Sequence, residues 1–193
     1  MDLIPKAFVL YNQPLSQGDN MKLDQFIRDI PDFPKPGIVF KDITPLLANP
    51  LAFSSAIDSF VNYYRNGHLD IVLGIESRGF LFAAPLSDRL HKPLIPIRKK
   101  GKLPFDTHST NYTLEYGEDS IEVHSDAIKP GQRVLIVDDL LATGGTMAAA
   151  TRLAEQAGGE IAGIATLVEL TALRGRQRLR GYDIFTQIKI KRI

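Results

Sequence analysis

The sequence predicts an α/β fold: an open, mainly parallel twisted sheet flanked by helices. Two observations carry this. Short runs such as Ile71–Ile75 and Val134–Val137 are apolar throughout, the habit of strands buried on both faces. Stretches with helical periodicity separate them, and that alternation is the signature of helices packed on a parallel sheet. A third observation says where to look for chemistry. The polar, glycine-bearing segments follow the strands, and open sheets of this kind bind ligands beyond the carboxyl ends of their strands.

Along the chain, Leu23, Phe26, Ile27 and Ile30 predict a short amphipathic helix. Pro31, Pro34, Pro36 and Gly37 then make a stiff loop. Phe53, Ile57, Phe60, Val61 and Tyr64 predict a second helix, followed by Gly67. Ile71–Ile75 is a strand leading into Glu76-Ser77-Arg78-Gly79 and a further helix. Leu94–Ile97 is a strand leading into the basic segment Arg98–Lys102. Asn111–Tyr116 and Ser120–His124 read as a hairpin around Gly117. Val134–Val137 ends in Asp138-Asp139, then an alanine-rich helix runs to Gly158-Gly159. Ile161–Val168 and Tyr182–Ile190 complete the strands.

The 193 residues fit one domain of the usual size, roughly 100–200 residues. Lys and Arg number 23 against 22 Asp and Glu, for a formal charge of +1. Such a balance provides no overall field for nucleic acid or an anionic membrane, so an anionic ligand must be recognised locally. The chain contains no Cys, which excludes disulfides and thiolate metal sites and fits a reducing cytoplasm. No run of roughly 18 apolar residues predicts a membrane span. Residues 1–20 lack the pattern of a signal peptide and read as an N-terminal extension to a domain over 21–193. His68, His91, His108 and His124 show no metal-ligand spacing and are expected to be surface or packing residues.

The most informative segment is Val134 to Thr146. A buried strand delivers Asp138 and Asp139 to the edge of the sheet, where adjacent residues point to opposite faces and would bracket a ligand or divide its duties. Gly144 and Gly145 allow the backbone to approach a ligand closely. Thr143 and Thr146 add hydroxyls where a helix begins, and free N–H groups at a helix start favour phosphate. Vicinal hydroxyls for the acids and a phosphate for the loop together describe a ribose 5-phosphate. No Lys follows the glycines and no Gly-x-Gly-x-x-Gly occurs, so neither a Walker loop nor a dinucleotide fingerprint is present. A metal-binding acid pair of a receiver-type domain is the plainer alternative for Asp-Asp after a strand, but no further phosphoacceptor Asp stands after a central strand. Glu76-Ser77-Arg78 forms a second strand-end turn, and Arg98, Lys99, Lys100 and Lys102 place four cations in five residues. Cations opposite a phosphate loop suit a departing pyrophosphate, whereas an isolated run of this kind would be a solvated surface turn.

The whole stretch from Val134 to Thr146 resembles the donor-binding signature of type I phosphoribosyltransferases. Glu-Ser-Arg-Gly-Phe-Leu-Phe at 76–82 and Arg-Lys-Lys-Gly-Lys-Leu-Pro at 98–104 are similar to segments of the adenine phosphoribosyltransferases. So are Leu-Glu-Tyr-Gly at 114–117, Phe33–Asp42 and Leu167–Leu170. The resemblance covers roughly Leu23 to Leu179. It implies the type I fold with a small N-terminal hood over about 31–45 and a flexible β-hairpin lid over about 101–117. It implies transfer of ribose 5-phosphate from 5-phosphoribosyl 1-pyrophosphate to adenine N9, giving AMP and pyrophosphate, with Mg²⁺ as cofactor. Asp138 and Asp139 would hold the ribose hydroxyls, and Ala142, Thr143, Gly144, Gly145 and Thr146 the 5-phosphate. Glu76, Ser77, Arg78, Arg98, Lys99 and Lys102 would line the pyrophosphate. Val39, Phe40 and Leu170 would contact the base, and Glu115 would handle the purine proton as the catalytic residue. Mg²⁺ would arrive with the donor, with Asp138 or Asp139 as its candidate ligands. The resemblance also implies a homodimer, with the basic segment near the interface. Lys41 stands where that family usually has Arg, and lysine lacks the planar stacking fork. Transfer to another purine and a non-catalytic sensor of the donor remain the alternatives. The sensor would need a DNA-binding extension or basic face, which the charge balance does not favour.

Overall fold

A computed structural model describes residues 21–114 and 117–191. The expected N-terminal extension and Glu115 lie outside the described residues.

The first departure from expectation comes at once. Leu23–Phe26 winds as a 3-10 turn, but Arg28–Ile30 is a strand, β1, and not the continuation of a helix. It pairs antiparallel with β2, Phe40–Asp42, in the register Arg28↔Asp42 and Ile30↔Phe40. Ion pairs across the ribbon supply what helical spacing could not reveal: Arg28 to Asp42 at 2.6 Å and Lys41 to Asp29 at 2.7 Å. Pro31 also follows directly, and a helix would have to end before it. The apolar residues of the would-be helix, including Leu23, Phe26 and Ile27, still pack on the core.

Two helices follow, α1 over Thr44–Ala48 and α2 over Pro50–Tyr64. The Asn49 side chain accepts hydrogen bonds from the backbone N–H groups of Leu51 and Ala52, capping α2, and Pro50 occupies its first turn. Ala52, Ala56, Ile57, Phe60 and Tyr64 form its buried face.

The remaining elements build the main sheet. They are β3 (Ile71–Ile75), α3 (Gly79–Leu90), β4 (Leu94–Lys99), β5 (Thr107–Leu114) and β6 (Gly117–His124), then β7 (Arg133–Leu141), α4 (Gly145–Gln156), β8 (Glu160–Leu170) and β9 (Ile184–Ile190). Seven strands lie in the order β5-β6-β4-β3-β7-β8-β9. The five from β4 to β9 run parallel, and the antiparallel hairpin β5–β6 is added beside β4. Central strands feed two cores through their period-2 alternation. Val72, Leu135 and Val137 join α2 and α3 on one face. Leu73, Val134 and Ile136 join α4 on the other. Among the described residues no helix is long and apolar enough to cross a membrane.

Two strands outrun their apolar runs. β4 continues through Arg98 and Lys99 because β6 supplies ladder partners, Glu122 and Ile121. β7 continues past Val137 through both acids to Leu141 because β8 pairs with it as far as Glu169. Its other neighbour, β3, pairs only to Val137. From Asp138 onward β7 is therefore bonded on one side, and the edge facing β3 is free for a site. Much of the expected cover over 101–117 is likewise regular structure, since Thr107–Leu114 pairs along the length of β6.

Candidate active site at the carboxyl ends of the strands

Parallel β3 and β7 end together, and a cavity of about 240 Å³ opens beyond them. Glu76, Ser77 and Arg78 line one side, and Asp138 through Met147 line the other. The two strand-end segments singled out in the sequence, 62 residues apart between Glu76 and Asp138, thus form one site. Gly79 sets their spacing. A β-carbon there would stand 2.8 Å from the Val137 carbonyl oxygen and 3.0 Å from Asp138 Oδ1. Only a residue without a side chain lets α3 begin this close to β7. Gly144 is a second such point, with φ of 79° at the residue preceding α4.

Both acids line the cavity. Asp138 Oδ1 accepts the Asp139 backbone N–H at 2.9 Å. Arg78 Nε lies 3.1 Å from Asp139 Oδ2. Burial pushes the Asp138 carboxyl well above its ordinary pKa, and the neighbouring Asp139 charge pushes the same way. Burial also raises Asp139, against the pull of Arg78. Two crowded carboxylates beside one cation favour a ligand that donates hydrogen bonds or brings a positive ion.

The basic segment stands beside the cavity rather than in its lining, tied to it by Glu76. Arg98 bonds the Glu76 carboxylate through Nε at 3.3 Å and through its terminal nitrogen at 3.2 Å, and the Lys99 backbone N–H adds a bond at 2.9 Å. The Arg98 hydrogen bond leads the effects that hold Glu76 below the usual carboxylate range. Arg98 also donates to the Lys102 carbonyl at 3.2 Å. Lys99 Nζ pairs with Asp119 at 3.1 Å, and the Asp119 hydrogen bond raises the lysine pKa.

Among the residues expected at the base, Phe40 joins the site through Arg78, whose guanidinium carbon lies 5.2 Å from the ring centroid. Phe33 meets Phe40 edge-on at 5.2 Å between centroids. Val39 is half-buried, and Leu170 is buried at the end of β8. Lys41 is buried and held by Asp29, so its charge is engaged away from the cavity.

Tyr112 lines the cavity from β5 and was not among the candidate residues. Its hydroxyl donates to Asp119 Oδ2 at 3.2 Å, and burial, then the Asp119 charge, raises its pKa. The sequence signal for it is the lone aromatic in the otherwise polar run Thr107–Thr113. His68 and His91 are exposed, and His108 and His124 are half-buried. Among the described residues no three His, Cys, Asp or Glu side chains gather as a metal cage. Two adjacent carboxylates in a cavity do fit Mg²⁺ of the kind that keeps most of its ligands on a bound phosphate.

With this geometry in view, the comparisons with known proteins are specific. A family model described as the phosphoribosyl transferase domain matches residues 42–192. The adenine phosphoribosyltransferase of Halothermothrix orenii is 54% identical over 169 residues, spanning 88% of this chain and 99% of that protein. The crystal structure of adenine phosphoribosyltransferase from Thermoanaerobacter pseudethanolicus superposes with a TM-score of 0.85 at 52% identity, covering 87% of this chain and 98% of the other. The enzyme from Saccharomyces cerevisiae, complexed with D-2,5-dideoxy-2,5-imino-altritol 1,6-bisphosphate and adenine, has a TM-score of 0.81 at 38% identity, covering 86% and 96%. An open parallel sheet, an acid pair feeding a glycine loop, and relatives matched nearly end to end agree: the chain belongs to the adenine phosphoribosyltransferase family of phosphoribosyltransferases.

Proposed function

We propose that this protein transfers ribose 5-phosphate from 5-phosphoribosyl 1-pyrophosphate to N9 of adenine, releasing AMP and pyrophosphate, as a pentosyltransferase of purine salvage. The observation that carries the reading is the joining of Glu76–Arg78 and Asp138–Thr146 in one cavity. Such a site offers acids for ribose hydroxyls, a helix start for one phosphate, and a cation at the point where the other leaves. The yeast relative's complex with adenine and a sugar bisphosphate supports the same ligand classes.

In this mechanism Asp138 and Asp139 accept hydrogen bonds from the ribose hydroxyls and orient the sugar. Backbone N–H groups of Ala142–Gly145, with the Thr143 and Thr146 hydroxyls, hold the 5-phosphate. Glu76, Ser77 and Arg78 would line the pyrophosphate, with Arg98, Lys99 and Lys102 approaching from the adjoining strand end, where Glu76 bonds Arg98 and the Lys99 backbone. As the bond from C1 to pyrophosphate loosens, positive charge develops on the ribosyl centre and negative charge on the leaving group. Purine N9 attacks C1, and Glu115 takes the proton. Asp138 or Asp139 would help to hold Mg²⁺ brought with the donor, and that ion would supply Lewis-acid neutralisation of the leaving group's charge. Val39, Phe40 and Leu170 would contact the base, with Phe40 stacking on it.

Within a domain over 21–193, the segment 31–45 would act as a hood over the base and 101–117 as a lid excluding water. A homodimer, with the basic segment near the interface, and a cytoplasmic location complete the reading. The location is supported by a chain without Cys.

The deciding experiment incubates the protein with donor, Mg²⁺ and each purine in turn, and follows nucleotide and pyrophosphate. AMP formed from adenine alone is the expected result. Consumption of the donor with hypoxanthine or guanine instead would overturn the base assignment. No consumption with any base would leave only a binding role.

A further inference from the structure

The back of the phosphate loop is braced by a segment that the proposed mechanism does not use. Gly144 and Gly175 stand back to back. A β-carbon on Gly144 would meet the Gly175 carbonyl oxygen at 2.6 Å, and one on Gly175 would meet the Ala142 carbonyl oxygen at 2.3 Å. Each glycine therefore excludes a side chain from the other, and the loop cannot shift backward while Gly175 stays in place.

What keeps Gly175 in place is its neighbour. Arg176 Nε donates to both oxygens of the Glu169 carboxylate, at 2.9 and 2.8 Å. Its two terminal nitrogens reach β9, donating to the Ile184 carbonyl at 3.1 Å and to the Thr186 hydroxyl at 3.2 Å. Glu169 is buried on β8, in register with Leu141, the residue immediately before the loop. One guanidinium thus joins β8, β9 and the Gly175 segment, directly behind the start of the loop. Multiple charge-assisted bonds from one rigid fork fix an orientation that a single point charge would not.

We propose that Arg176, clamped by Glu169, is a positioning residue for the 5-phosphate loop, acting through Gly175 on the backbone of Ala142–Gly144. The inference rests on the reading of that loop as the phosphate site. It assigns no contact with substrate to Arg176. Its effect is on the phosphate half of the donor and not on the pyrophosphate half, because Glu76–Arg78 lie in the turn between β3 and α3 and, among the described residues, share no bond with this clamp.

The test measures binding of ribose 5-phosphate and of pyrophosphate, separately, by calorimetry on the full chain. The variants are Gly175→Ala, Arg176→Lys and Glu169→Gln, with the fold of each checked by its thermal transition. Displacing the loop in Gly175→Ala should weaken ribose 5-phosphate by roughly tenfold to a hundredfold, the scale for ångström misplacement of a site. Pyrophosphate affinity should stay at the parent value. Arg176→Lys and Glu169→Gln should fall between Gly175→Ala and the parent for ribose 5-phosphate, since each keeps part of the bonding. The proposal is overturned if both ligands weaken together in the folded variants, or if neither does. Should Gly175→Ala not fold, the two milder variants decide by the same criterion. A parent protein that binds pyrophosphate but not ribose 5-phosphate would instead overturn the reading of the loop.

Discussion

Arg78 Nε lies 3.1 Å from Asp139 Oδ2, so the cation of one strand-end turn partly neutralises the acid pair of the other. The contact ties β3 to β7 beyond the last residue at which they pair, Gly74 with Val137. It also sets the charge state in which the site meets its ligand. Burial raises both carboxyls, and the Arg78 charge is foremost among the effects that pull Asp139 back.

Arg78→Gln removes that pull, so the Asp139 pKa should rise further. The ionised acid is the form that accepts hydroxyl hydrogen bonds. The acidic limb of kcat/KM for the donor should therefore move to higher pH, with a loss of roughly tenfold or more at neutral pH as one charge-assisted contact disappears. A pH–rate profile with an unmoved acidic limb would contradict the assignment.

Asp138→Asn should make the protein more stable and less able to bind its donor. The native carboxyl titrates above its ordinary value, so the folded state binds the proton more tightly than the unfolded chain does. Stability is accordingly lost as pH rises from the unfolded value through the folded one. Asparagine removes the charge and keeps an oxygen for the Asp139 N–H. At neutral pH the melting temperature should rise by roughly 2–4 °C, the response to ~1 kcal/mol in a chain of this size. The gain should vanish in acid. Calorimetry across pH checks the sign, and a lower melting temperature at neutral pH would refute it.

Gly79→Ala puts a β-carbon against the Val137 carbonyl and the Asp138 carboxylate. Backbone lies on one side, so no side chain can swing away to relieve both contacts. A cost of about 1–3 kcal/mol is expected from overpacking, measured by urea unfolding. Donor KM should rise as well, because the turn carrying Arg78 is pushed from the acid pair.

Asp42 gives a stability test with the opposite sign. The Thr44 backbone N–H and the Arg28 side chain hold its carboxyl at about 2, below the usual 3.8. A depressed folded pKa contributes stability that is present above the unfolded value and lost as pH falls toward the folded one. Asp42→Asn should be less stable than the parent at neutral pH, and the gap should close between about pH 4 and pH 2. Thermal midpoints that stay equally separated across that window would argue against the pairing.

Glu115→Gln separates chemistry from binding. If Glu115 moves the purine proton, turnover should drop by roughly 10²–10⁴-fold while donor KM is unchanged. Collapse of donor affinity with intact turnover would remove it from that role.

Much of this protein is legible before folding. The apolar runs Ile71–Ile75 and Val134–Val137 define buried parallel strands because their every residue must leave water. The acid pair and glycine loop mark in the sequence the strand end where the cavity opens. Local pattern failed where long-range partners decided the outcome. Arg28–Ile30 is a strand because Asp42 and Lys41 pair with it across a loop, against its own helical spacing. β7 runs through its acids because β8 extends beside it, and the free edge exists because β3 stops. Tyr112 in the cavity, the approach of Gly79 to Asp138 and the clamp of Arg176 on Glu169 belong to the same class. Residue chemistry and spacing determine which elements form and what they can bind. Distances between elements are a property of packing, where excluded volume and satisfied polar groups select one arrangement from many that the same pattern permits.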